Sequence, residues 1–137
     1  MRRSCVPLRN CKSFWTQLKR SHSRVRLEKV TSSALSMVLG LIETESGFRK
    51  YAISSAGARG YMQVMPFWTR TLGDGDESSL FRMQINLRFG CVILRYLLDK
   101  EGGDVFLGLG RYNGSRGQAA YPNAVISAQK RWLLGID

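Results

Sequence analysis

From Leu35 the apolar positions fall at Val38, Leu39 and Ile42, the i, i+3, i+4, i+7 spacing that lines one face of an amphipathic helix. Thr31, Ser32 and Ser33 offer N-caps just upstream, and Gly47 is a natural stop. A loop of small residues, Ala52-Ile53-Ser54-Ser55-Ala56-Gly57-Ala58, runs to Gly60. Residues 61–65 read as a short helical segment, and Pro66 suits the first turn of a new helix. Gly73-Asp74-Gly75-Asp76 is a turn, after which Ser78 or Ser79 is expected to cap a long helix with Phe81, Ile85, Val92, Leu94 and Leu97 or Leu98 facing the core. Gly102-Gly103 ends it, Asp104 caps a further helix through residue 109, Asn113-Gly114-Ser115 turns the chain, and a last helix spans about 122–134. Sustained period-two alternation is absent and nothing repeats, so the pattern predicts an all-α domain.

Composition sharpens this picture. The chain has 137 residues, the length of one domain, and is 44% hydrophobic, enough to fill a core. No apolar run reaches the ~18 residues needed to cross a bilayer. The formal net charge is +11, from 21 Lys and Arg against 10 Asp and Glu, which favours association with a polyanion without choosing which one. Much of the excess lies before residue 30, where Arg2, Arg3, Arg9, Lys12, Lys19, Arg20, Arg24, Arg26 and Lys29 meet only Glu28. Residues 1–30 therefore read as a basic arm and 31–137 as the organised domain. The arm never develops the apolar stretch of a secretory signal. Cys5, Cys11 and Cys91 do not have zinc-site spacing; Cys5 and Cys11 are weakly indicated as a disulfide pair, and Cys91 falls in an apolar helical pattern and is expected in the core.

Several chemistries are excluded. His22 is the sole histidine, which argues against Ser-His-Asp, Cys-His and His-metal sites, and neither a Walker-type phosphate loop nor a dinucleotide fingerprint is present. No metal or organic cofactor is expected. Acid–base work is left to carboxylates, tyrosines and lysines. Glu43 and Glu45 flank the apolar stripe of the first good helix on opposite sides. Partial burial and the negative end of a helix dipole both raise a carboxyl pKa, and a carboxyl kept protonated can serve as a general acid. Helical geometry does not separate the two.

Longer motifs do. Glu45-Ser46-Gly47-Phe48, then Ala52 with Ser54, then Ala56-Gly57-Ala58-Arg59-Gly60-Tyr61-Met62-Gln63-Val64-Met65-Pro66 resembles the signature of the soluble lytic transglycosylases of the goose-lysozyme-like fold. Asn86, Gly90, Tyr96-Leu97 and Arg111-Tyr112-Asn113-Gly114 continue the likeness in order, over roughly residues 35–133. The resemblance implies a lysozyme-like helical domain that cleaves peptidoglycan glycan strands in the cell envelope, forming anhydromuramoyl ends, with Glu45 as acid and then base. It also implies that Ser54 hydrogen-bonds the sugar near the scissile bond, that Gln63 and Met65 line the glycan groove, that Tyr112 orients the Glu45 carboxyl and touches substrate, and that Asn113 stabilises that neighbourhood. Glycan strands are the expected partner, with no nucleic acid and no second subunit. The sequence departs from the family pattern at Lys50, Tyr61 and Arg111. Two alternatives stay open: a hydrolysing muramidase or endolysin on the same bond, and a non-catalytic basic helical module that binds nucleic acid through the charged arm.

Overall fold

The computed structural model describes residues 24–134, with side chains from Ser32 onward; Cys5 and Cys11 lie outside the described residues. The first helix, α1 (Arg24–Ser46), starts upstream of Thr31, so the expected capping start at Thr31–Ser33 is overturned. The small polar residues do not break it, because hydroxyls bond back onto the preceding turn: Ser36 Oγ donates to the Ser33 carbonyl at 2.9 Å and Thr44 Oγ1 to the Gly40 carbonyl at 2.8 Å. The helix ends where Gly47 and Phe48 take left-handed conformations in succession, φ 56° and 62°. Glycine adopts this without penalty, whereas Phe48 does so at a cost.

The segment from Arg49 to Pro66 is a compact loop. Antiparallel bridges link Ile53 to Arg59 and Arg59 to Val64, so residues 61–65, expected to be helical, instead form a tight turn. Its chirality explains the difference: Gly60 and Gln63 both have positive φ, 75° and 49°, which a right-handed helix does not admit.

Beyond Pro66 come α2 (Phe67–Leu72), a 3-10 helix η1 (Glu77–Phe81), α3 (Met83–Lys100), α4 (Val105–Asn113) and α5 (Ala120–Leu134). Asp76, rather than Ser78 or Ser79, caps η1, its carboxylate accepting from the Ser78 N–H, and α3 starts separately after Arg82. Asp104 caps α4 through the Leu107 N–H, as expected, and Gly114 closes it in the left-handed region. The fold is all-α; no named strand occurs among the described residues. No helix among the described residues is long and apolar enough to cross a membrane.

Leu41, Ile42, Met62, Val64, Leu80, Ile93, Leu94, Leu109 and Val125 form the core. Ile93 takes the buried place on α3 that the pattern gave to Val92, which is only half-buried, as is Cys91 where it packs against this cluster. Two glycines set the tightest approaches. A Cβ at Gly40 would lie 2.7 Å from the Gln129 nitrogen, so α1 and α5 cross backbone to backbone there. A Cβ at Gly90 would lie 2.3 Å from the Met62 sulfur, so α3 yields that space to the loop.

Candidate active site

The end of α1 is locked to the loop by Ser46, whose buried hydroxyl donates to the Tyr61 carbonyl at 2.7 Å and also lies 3.1 Å from the Ile42 carbonyl. Behind the loop, fully buried Asn86 uses its whole amide. Its oxygen accepts from the Met62 N–H at 2.8 Å, and its nitrogen donates to the Arg59 and Leu80 carbonyls, each at 2.8 Å. Gly60 admits that amide, since a Cβ there would lie 2.4 Å from the Asn86 nitrogen. The backbone beside Glu45 is thereby fixed from both sides.

Glu45 itself is half-buried, and burial pushes its carboxyl above the ordinary carboxylate value; a hydrogen bond from the Tyr121 hydroxyl opposes the rise in part. Tyr121 stays a donor, because burial first, and then the Glu45 charge, hold its proton far above the phenol range. The carboxyl tip is therefore paired with a neutral hydroxyl. Glu43, two residues away, has the opposite environment: it accepts from Arg131 at 2.5 Å and from the Trp132 indole N–H at 2.8 Å, and these bonds hold it below the usual range. The two glutamates that helical spacing left alike are separated by what α5 brings to each.

The remaining described carboxylates are engaged elsewhere. Glu77 pairs with Arg59 and Arg70, Asp99 with Arg95, and Glu101 with Arg111 and Arg116. Asp76 and Asp104 cap helices, and Asp74 accepts from the Asp76 N–H. Among the described residues, Glu45 alone combines a raised pKa with a carboxyl free of cationic partners. No cluster of three or more His, Cys, Asp or Glu suited to a metal ion occurs among them.

The other candidates divide. Tyr112 is close enough to feel the Glu45 charge, yet its hydroxyl donates to the Met62 carbonyl at 2.8 Å; orienting the Glu45 carboxyl falls to Tyr121, which the sequence reading missed. Gln63 lies in the same loop, its side-chain nitrogen donating to the Ala52 and Gly60 carbonyls at 3.1 and 2.9 Å. That leaves its side-chain oxygen as the atom that can accept a further hydrogen bond. Ser54 accepts from the Ala58 N–H at 3.0 Å, closing the small-residue turn, with its O–H still able to donate. Met65 is half-buried after the loop. Asn113 is exposed and donates to Ser115 at 3.1 Å, so it braces the turn after α4 and has no bond to Glu45. A separate apolar groove of about 540 Å³, lined by Ser33, Ala34, Met37, Val105, Ile126 and Gln129, opens two to three turns upstream of Glu45 on α1 and carries no titratable side chain.

Comparison with known proteins bears on the family and the fold. The family model described as Transglycosylase SLT domain matches residues 26–133. The transglycosylase of Enterobacteria phage PRD1 is 33% identical over 97 residues, covering 66% of this chain and 35% of the phage protein. Membrane-bound lytic murein transglycosylase C of Histophilus somni (strain 2336) is 40% identical over 73 residues, 47% of this chain and 20% of that protein. The chain thus spans about a third or less of the curated relatives it matches. In fold it is similar to an inactive mutant of the lytic transglycosylase Slt from Pseudomonas aeruginosa, with TM-score 0.54 and 20% identity over 72% of this chain and 19% of that one. It is similar also to the 70 kDa soluble lytic transglycosylase Slt70 of Escherichia coli, with TM-score 0.54 and 20% identity over 71% of this chain and 16% of that one.

Proposed function

The chain belongs to the transglycosylase SLT domain family, and from that premise we propose that it cleaves the bond between N-acetylmuramic acid and N-acetylglucosamine in peptidoglycan glycan strands without adding water. The observation that carries this reading is the Glu45 carboxyl, half-buried, raised in pKa and bonded to a neutral phenol.

Most glycosidases use two carboxylates, an acid and a nucleophile or base. Every other Asp and Glu with a described side chain is engaged in an ion pair, a helix cap or, for Asp74, a turn hydrogen bond, which supports a route with one. Protonated Glu45 donates to the glycosidic oxygen as the C1–O bond breaks, and positive charge develops at the muramoyl C1 with support from the substrate's own acetamido group. The Glu45 carboxylate, steadied by the Tyr121 O–H, then takes the proton of the muramoyl C6 hydroxyl as that oxygen closes onto C1. One proton enters and one returns, so the enzyme is restored and the product carries a 1,6-anhydromuramoyl end. Gln63 and Tyr112 flank the reacting sugar, and Ser54 and Met65 extend the groove. The substrate puts the site of action in the cell envelope.

Mass spectrometry of digested sacculi tests the reading. Wild-type protein releases anhydromuramoyl ends, and Glu45→Gln lowers turnover by about 10²–10⁴-fold while its circular dichroism is unchanged. Hydrated reducing ends would identify a hydrolase instead, and full turnover by Glu45→Gln would remove the residue from the reaction.

A further inference from the structure

Directly after the Glu45-Ser46-Gly47-Phe48 corner stand Arg49, Lys50 and Tyr51, all exposed. Arg49 is aimed rather than loose. Its Nε donates at 2.9 Å to the carbonyl of Ser46, one of the orphan acceptors at a helix C-terminus, where a cation is also favoured by the dipole. That contact uses one corner of the guanidinium and leaves both terminal nitrogens without a partner among the described residues. Lys50 holds its ammonium 5.0 Å from the centroid of the Tyr51 ring. Tyr51, 70% exposed, leans on Phe81 at 5.7 Å. Neither cation faces a carboxylate, whereas Arg59, Arg70, Arg95, Arg111, Arg116 and Arg131 are all in ion pairs. Lys50 is also a position where the sequence departs from the family pattern.

Burial and Tyr121 account for the Glu45 carboxyl, so these two positive charges do not serve the acid. They are exposed, four and five residues past it in the chain. A fixed guanidinium fork binds a carboxylate in bidentate fashion, and an ammonium over an aromatic ring adds a second positive point with an apolar floor. We propose that Arg49, Lys50 and Tyr51 form a rim subsite that binds the carboxylates of the peptide stems carried by the glycan substrate. The proposal rests on the glycan-cleaving reading and adds to it a basis for choosing among strands.

The probe is purified sacculi freed of phosphate polymers, either intact or stripped of stem peptides by an amidase. Binding is measured by sedimentation with the Glu45→Gln protein, so no turnover intervenes. Two exposed charge contacts predict about a 3- to 10-fold preference for intact sacculi at low ionic strength, lost in 0.5 M salt. Adding Arg49→Gln and Lys50→Gln abolishes the preference, and the charge-keeping pair Arg49→Lys and Lys50→Arg, which retains both charges but loses the fixed fork, keeps part of it. Equal binding to both sacculi, or a preference that survives the glutamine pair, overturns the rim. The parent reading is judged separately: wild-type protein that releases no anhydromuramoyl ends from either substrate refutes the glycan-cleaving reading, whatever the binding shows.

Discussion

At Glu45, burial lifts the carboxyl and Tyr121 draws it part of the way back, so the phenol governs how readily the acid lets its proton go. Tyr121→Phe deletes the lowering influence: the Glu45 pKa climbs further, the alkaline limb of the pH–rate profile moves to higher pH, and kcat drops about tenfold or more as the carboxylate loses its support. A variant with reduced rate and an unmoved limb would assign Tyr121 to packing alone. The same burial has a stability signature. A folded-state pKa above the unfolded one means that ionised Glu45 opposes folding, a cost absent well below the ordinary value of 4.5 and growing as pH rises past it. Glu45→Gln is therefore at least as stable as the wild type at pH 7, and the difference closes near pH 4; thermal melts at both values check it. The motif singled out Glu45, but periodicity could not tell it from Glu43, since the discriminating partners, Tyr121, Arg131 and Trp132, all arrive from α5. Tyr121 sits 76 positions away from Glu45, and nothing in local spacing announces such a contact.

Among the elements, the helices of the second half were readable because caps and stops are local: Asp104 and Gly114 mark α4 by their own chemistry. Reading failed where tertiary contacts decide. The loop at 61–63 takes its turn from a buried amide on α3, and Asn86 looked like an ordinary helical residue. Asn86→Ala strands the Met62 N–H and the Leu80 carbonyl and leaves the Arg59 carbonyl with only the Val64 N–H as donor, a loss of about 2–4 kcal/mol of stability; activity should fall more steeply than folding because Gln63 and the Ser46 tether ride on that loop. At the α1–α5 crossing, Gly40→Ala forces a methyl against the Gln129 nitrogen and the Val125 carbonyl, costing about 1–3 kcal/mol in a denaturant melt. The start of α1 was misplaced for a related reason: serines and threonines that resemble caps are carried inside the helix by back-bonding.

Over the whole molecule, acid should loosen the fold through its ion pairs. Glu101, held between Arg116 and Arg111, is depressed to about 2, and Glu43 is also lowered. Both contribute stability that is present above 4.5 and lost as pH falls toward 2. Circular dichroism against pH should show unfolding in that window, and Glu101→Gln should flatten the decline. The excess of positive charge was plain in the sequence, but which cations are neutralised and which look outward emerged only with the fold. One arrangement reaches beyond equilibrium. Glu43 and Glu45 both receive their defining neighbours from α5, the last described helix, so under the proposed mechanism a nascent chain still lacking that stretch on the ribosome has no working acid. On the proposed reading, synthesis thus delays any lytic capacity until α5 has emerged, and a protease that nicks the chain between Ser115 and Ala120 and frees α5 would abolish it while leaving Glu45 itself untouched.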